Sequence, residues 1–331
     1  MMRLAAVACL AALLGWAAGA AANDSTAELS AGGLVLSTSA DIRMVSEDLY
    51  VSAREIRVGY RFLNTAPRDI STVVAFPLPD LTGAPDANIS LPEAESDNFV
   101  GFATRVNGAP VATEVERRVL AAGIDRTDRL RQHGIPLHPL SRETQRALDA
   151  LPRERWKELV ELGLVEIESY DDTGQGMKDH AVPRWTLKTT YHWRQTFPAG
   201  REITVEHSYR PVVGYSVVTP LAFPEFRREA DFARYQASYC MDADFLSAAR
   251  RVASSHPQEA RISYVLKTGA NWAGPIGEFR LVVDKGNPSN LVSFCGEGVR
   301  KISPTRFEMR KRDFTPTEDL GILIIGRDLA P

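Results

Sequence analysis

Few side chains in this chain are placed to do chemistry, and His207 is the first of them. It lies in Ile203-Thr204-Val205-Glu206-His207-Ser208-Tyr209 and shares the parity of Ile203, Val205 and Tyr209, which puts it on the apolar face of a strand. An imidazole there is either a core group satisfied by a carboxylate or backbone partner, or the acid–base group of a hydrolytic site. Asn271 and Trp272 fall in a glycine-rich turn between Thr268 and Gly277. If that turn is open, its indole is a platform for a sugar or peptide ring; folded back, it caps the end of a sheet. His207, Asn271 and Trp272 are therefore the candidate ligand-binding residues, and no residue receives a catalytic role.

Other signatures are missing or weak. Gly214-Tyr215-Ser216-Val217-Val218 lacks the second glycine that a nucleophile elbow needs. There is no Ser-x-x-Lys, His-Glu-x-x-His, Cys-x-x-Cys or phosphate-binding glycine loop. His133 and His138 are five apart in a segment broken by Gly134 and Pro136, and Asp242-Ala243-Asp244 lacks the glycine and distal glutamate of a calcium loop. No metal and no cofactor is expected. The basic run Arg306, Arg310, Lys311 and Arg312 reads as a solvated strand end, or else a patch that steers anionic partners.

These groups are carried mainly by strands. Ile56, Val58, Tyr60 and Phe62 alternate with Glu55, Arg57, Gly59 and Arg61, and Ile70 to Phe76 reads as the next antiparallel strand. Asn107-Gly108 is a hairpin signal. From about Glu114 to Glu166 the period becomes helical: a short helix over Asp125 to Gln132, one capped by Ser141 over Arg142 to Leu151, and one from Pro152 to Gly163. Trp185, Leu187, Thr189, Tyr191, Trp193 and Phe197 then share one face of the clearest strand, and Pro198-Ala199-Gly200-Arg201 turns it into the His207 strand as a long β-hairpin with one apolar side. A helix over Asp242 to Ala253 precedes strands at Ile262 to Leu266, Phe279 to Val283, Leu291 to Phe294 and Leu320 to Ile325, the last buried on both faces.

Residues 1–22 read as a cleaved export signal: Arg3, an Ala-rich apolar run, and Ala20-Ala21-Ala22 as a small-x-small site. Its loss removes Cys9 and moves the formal charge from −3 to −4, without the basic footprint of a nucleic-acid binder. Cys240 and Cys295 remain, an even pair that in an exported chain reads as a disulfide; a loop of about 55 residues gives ~4 kcal/mol in the chain-entropy model. No second long apolar run follows, so no transmembrane segment is expected after cleavage, and the location is the periplasm or beyond the cell.

Several stretches resemble a known family. Asn23-Asp24-Ser25-Thr26-Ala27-Glu28-Leu29 with Gly32-Gly33-Leu34, Ser46-Glu47-Asp48-Leu49-Tyr50, Phe197-Pro198-Ala199-Gly200 with His207-Ser208-Tyr209, and Asn271-Trp272-Ala273-Gly274-Pro275-Ile276 with Val283-Asp284-Lys285-Gly286 are similar to exported bacterial proteins carrying domain of unknown function 4424, as are Lys301-Ile302-Ser303-Pro304-Thr305 and Asp313-Phe314. The resemblance implies a β-rich exported protein and assigns no catalytic residue.

The expected fold is α+β, predominantly antiparallel β, with two packed sheets and a helical insertion: a β region over 23–116, the insertion over 117–182 and a β hairpin with C-terminal β region over 183–331, with 23–331 as one composite domain the other arrangement. The expected function is a non-catalytic envelope or secreted binding or structural module, its partner an envelope protein or glycan. The alternative is a hydrolase of cell-envelope material with His207 as its acid or base.

Overall fold

The computed structural model describes residues 23–30, 33–83, 89–171, 174–327 and 329. The expected signal and its cleavage site lie outside them, apart from Asn23 on the far side of the scissile bond. The fold is α+β and mostly antiparallel. Its described strands form not two sheets but four, of eight, seven, five and two strands. In the eight-stranded sheet, Ile56–Asn64 runs antiparallel between Ile42–Ser52 and Glu202–Tyr209, Ala103–Val106 flanks the latter, and Ile276–Asp284 adds in parallel to Ile42–Ser52. One apolar core joins the inner faces of the three larger sheets, with Tyr60 and Phe62 from the first, Phe76 and Trp193 from the second, and Tyr264 and Ile322 from the third.

The expected hairpin does not form. Thr186–Phe197 pairs with Ile70–Pro77 and Glu114–Ala121 in the seven-stranded sheet, whereas Glu202–Tyr209 pairs with Ile56–Asn64 and Ala103–Val106 in the eight-stranded one. The chain crosses from sheet to sheet at residues 198–201, held by Gly200 N–H to the Asn64 carbonyl at 3.0 Å and by the Asn64 amide to the Phe197 carbonyl at 2.8 Å. The crossing puts the two apolar faces opposite each other across the core, where Phe62 and Phe197 meet edge-on at 5.9 Å. Edge pairing would have left both faces on one side, awaiting a second layer. Ile56–Asn64 and Ile70–Pro77 part company in the same way.

The helical stretch begins later than its periodicity suggests, because Glu114–Ala121 is a strand of eight residues, seven of which pair with Thr186–His192. Helices follow at Thr127–Gln132, Arg142–Asp149 and Arg153–Glu161. Ser141 caps the second, its hydroxyl accepting from Thr144 N–H. Leu130, Leu148, Trp156 and Leu159 bury their apolar faces against Trp185 and Leu187, so the strand Thr186–Phe197 serves two cores along one face.

Cys240 and Cys295 are bonded, with Cα atoms 4.9 Å apart. The bridge ties the helices Asp231–Ser238 and Ala243–Val252 to the strand Leu291–Phe294 beside the central strand Leu320–Gly326, which is buried on both faces. The first of those helices buries no residue fully, yet Phe232, Tyr235 and Tyr239 at helical spacing pack on the cluster of Leu221, Met241 and Leu323. Reduction of this bridge, with a sequence separation of 55, is expected to lower stability by about 4 kcal/mol, read as a fall in the urea midpoint with dithiothreitol. An unchanged midpoint would assign the bridge no role in holding the fold.

Candidate functional site

His207, Asn271 and Trp272 come together, and what they share is the chain's own segment Asn23–Ser25. His207 Nε2 donates to Asp24 Oδ1 at 3.0 Å, Trp272 Nε1 donates to the Asp24 carbonyl at 2.7 Å, and Asn271 Nδ2 donates to Ser25 Oγ at 2.9 Å. His207 Nδ1 meets the Thr104 hydroxyl at 3.0 Å, and the rings of Phe76, Phe102, Trp193 and Tyr60 surround the imidazole with centroids 4.9 to 5.8 Å away. His207 is 2% exposed and Trp272 3%. Neither is a platform: the indole is folded into the core against Phe62 at 4.4 Å.

The same segment is clamped from its other side. Asn23 N–H donates to Thr268 Oγ1 at 2.6 Å, and that hydroxyl donates back to the Asn23 carbonyl at 2.7 Å. Asn23 Nδ2 donates to Glu47 Oε2 at 3.1 Å, while the Tyr60 hydroxyl donates to Asn23 Oδ1 and lies 3.2 Å from the Tyr264 hydroxyl. This polar knot is buried, and desolvation pushes both carboxyls up, with His207 pulling Asp24 back down and Glu47 reaching about 8. Tyr60 and Tyr264 are driven well above the usual phenol range by the same desolvation.

Packing at the knot is close. A Cβ on Gly269 would stand 2.7 Å from Asn23 Nδ2 and 3.2 Å from Ile276 Cδ1. Gly269→Ala is therefore expected to destabilise by about 1–3 kcal/mol, measured by urea titration; a neutral result would show that the clamp can shift.

Most of the knot is absent from the candidate set read from sequence. A signal for Glu47 existed, since it shares the inward parity of Leu49 and Val51. The bulge between Met44 and Ser46 reverses that parity toward Ile42 and hides it from a strand-long count. Asn23 and Asp24 gave none, because polar residues after an apolar leader look like a solvated start.

The open surface is different in kind. Across the outer face of the eight-stranded sheet the register aligns Arg310, Arg280, Asp48, Gly59, Glu206 and Arg105 in one row. Asp48 and Glu206 flank Gly59 and are about 10 Å apart across two strand spacings. The depression above them measures about 600 Å³. Tyr50 forms part of its wall, with the Arg57 guanidinium 4.6 Å and that of Arg306 5.7 Å from its ring centre. Arg280 pairs with Asp48 at 3.0 Å and Glu308 at 2.8 Å. Three members of the basic run have partners too: Arg306 with Asp284, Arg310 with Glu308 and Lys311 with Glu297.

His133 and His138 are not joined as ligands: His133 faces Glu158 at 3.5 Å, and His138 Nδ1 accepts from Leu140 N–H. Among the described residues no three His, Cys, Asp or Glu side chains group as a metal site, and no helix there is long and apolar enough to cross a membrane.

No curated protein matches the chain. A crystal structure provisionally described as a nutrient binding protein, from Legionella pneumophila, aligns with 92% of this chain and 70% of its own at 15% identity and a TM-score of 0.46. A family model, domain of unknown function 4424, matches residues 22–323. With nearly the whole described fold inside that match, the chain belongs to the family of domain of unknown function 4424.

Proposed function

We propose that the protein is an exported, non-catalytic binding module of the cell envelope, and that the depression over Gly59 receives a polar ligand, an envelope glycan bearing carboxylates. The observation that carries this reading is Gly59 itself. It sits in mid-strand, where glycine weakens a sheet, yet a Cβ there would meet nothing within 4 Å and no positive φ requires its absence. Its service is to leave a notch between two carboxylates and a set of arginines, walled on one side by Tyr50. Glu206 makes no ion pair among the described residues and is left to accept from ligand hydroxyls.

Cleavage after Ala22 and residence in the periplasm belong to this reading. They are supported by the leader pattern and by a bridged cysteine pair, which suits an oxidising compartment. A hydrolase working through His207 has no such support, because the ring is sealed in the core with both nitrogens engaged.

Isothermal titration with soluble peptidoglycan fragments and envelope oligosaccharides tests the proposal. Gly59→Val should weaken binding by at least about tenfold while melting no lower than the parent. The site is wrong if the valine variant binds equally well, and the binding role is wrong if no envelope glycan binds.

A further inference from the structure

Four acidic residues are buried among the described residues, and three of them face a basic side chain. Asp24 has His207 at 3.0 Å, Glu259 has Arg261 at 2.6 Å and Asp284 has Arg306 at 2.8 Å. Glu47, 1% exposed, has none. Its Oε2 accepts only the neutral carboxamide of Asn23, and its Oε1 has no hydrogen-bond partner at all; Asp24 Oδ2 beside it is likewise unpartnered. The groups facing Glu47 are Asp24 from the same segment as Asn23, Tyr60 from the strand Ile56–Asn64 and Tyr264 from Gln258–Tyr264, and each adds negative charge or none. A buried carboxylate left this way is unfavourable unless a cation reaches it.

A group able to become one is the backbone nitrogen of Asn23, on the residue whose own side chain already touches Glu47. That residue is the one expected to become first in the chain when the Ala22–Asn23 bond is hydrolysed, which leaves a carboxylate on Ala22 and a protonated amine on Asn23. As an amide this nitrogen has one hydrogen, which Thr268 takes. As an ammonium it has three, and the unpartnered oxygens of Glu47 and Asp24 are the acceptors within the knot.

We propose that the α-ammonium created at Asn23 by leader removal is the missing counter-ion of Glu47, so that processing completes the core of this protein. The knot is then a binding site for the chain's own new terminus. His207, itself held by the Thr104 hydroxyl, grips Asp24 together with Trp272, Asn271 grips Ser25, and these contacts hold the amine in place. The proposal rests on the export reading given above, and specifically on the position of cleavage.

Two chains test it, one beginning at Asn23 and one with a single alanine ahead of Asn23, each with Glu47 and as Glu47→Gln. At pH 8 the Asn23-first chain should melt higher than the extended chain by about 3 °C or more. Glu47→Gln should lower the melting temperature of the first chain and raise that of the second. The α-amine of the folded Asn23-first chain should resist acylation at least about tenfold relative to the same chain in urea, as a buried ammonium must. A substitution that acts with the same sign on both chains, or an amine acylated equally fast folded and unfolded, overturns the proposal. The intact mass of the protein exported with its own leader tests the underlying reading separately. A start other than Asn23 removes both that reading's cleavage site and the proposal, while a start at Asn23 with same-sign melting data removes the proposal alone.

Discussion

Replacing His207 with alanine is expected to destabilise the protein by about 3–5 kcal/mol, a large share of the stability of an ordinary domain. The imidazole and the Asp24 carboxylate are both fully buried and 3.0 Å apart. Truncation would leave Asp24 Oδ1 in a low-dielectric interior without its imidazole partner, orphan the Thr104 hydroxyl, and open a cavity among four aromatic rings. His207→Gln, which keeps a donor of similar reach, should lose clearly less, and Asp24→Asn combined with His207→Gln should recover part of the loss by removing the charge. Urea unfolding of the four proteins measures this directly. A loss below about 1 kcal/mol for His207→Ala would mean that water or a rearranged partner replaces the ring, and the knot could not then be called a unit of the core.

The second large effect is a pH dependence set by Glu47 in any chain that carries an amide at Asn23. Its carboxyl is raised by burial from 4.5 to about 8, so the folded state holds a proton that the unfolded state gives up earlier. The stability from this group is complete below pH 4.5 and is lost as pH rises through 8; the shift corresponds to roughly 5 kcal/mol across that window. In the chain with alanine ahead of Asn23, stability should therefore fall between those limits, and Glu47→Gln should flatten the curve. Equilibrium unfolding at pH 5, 6.5 and 8 decides the matter. A slope of the opposite sign, or one unchanged by Glu47→Gln, would place the pH dependence on another group.

Both effects come from residues whose parity was readable and whose partners were not. The alternation around His207 put it on the inner face, and there it is. The clean alternation of Trp185 to Phe197 likewise marked a strand with one buried side, and the continuous apolar run at Ile322 to Ile325 marked a central strand. Ser141 and Gly163 bracketed the helical region for local reasons, a side-chain cap in one case and a left-handed φ of 69° in the other. Trp272 was left open between platform and cap, and it is folded back: its neighbour Ala273 bonds the Ile42 carbonyl at the start of the strand Ile42–Ser52, while the indole packs against Phe62 and binds the Asp24 carbonyl.

The wrong expectations share one cause. A short turn between two amphipathic strands was read as a hairpin, but turn length limits only how far the chain travels, and at residues 198–201 it travels to the other sheet. A helical period was extended back over Glu114–Ala121 because a half-buried strand with four intermediate residues in a row carries no sharp alternation. Asn23 and Asp24 looked like solvent-facing polar residues until strands from three sheets closed over them.

By itself, then, the amino-acid order determined what depends on neighbours within a few residues: strand and helix character, the inward side of each element, the caps, the leader pattern and the family. Tertiary structure alone decided which sheet each strand joins, that His207, Asn271 and Trp272 converge on the segment Asn23–Ser25, and that Glu47 is buried without a cation while Gly59 opens a notch on the opposite face. The physical reason is that periodicity fixes a side chain's direction, whereas burial and charge pairing depend on groups up to 248 residues away in the chain, such as Trp272 and Asp24, brought together only when the core forms.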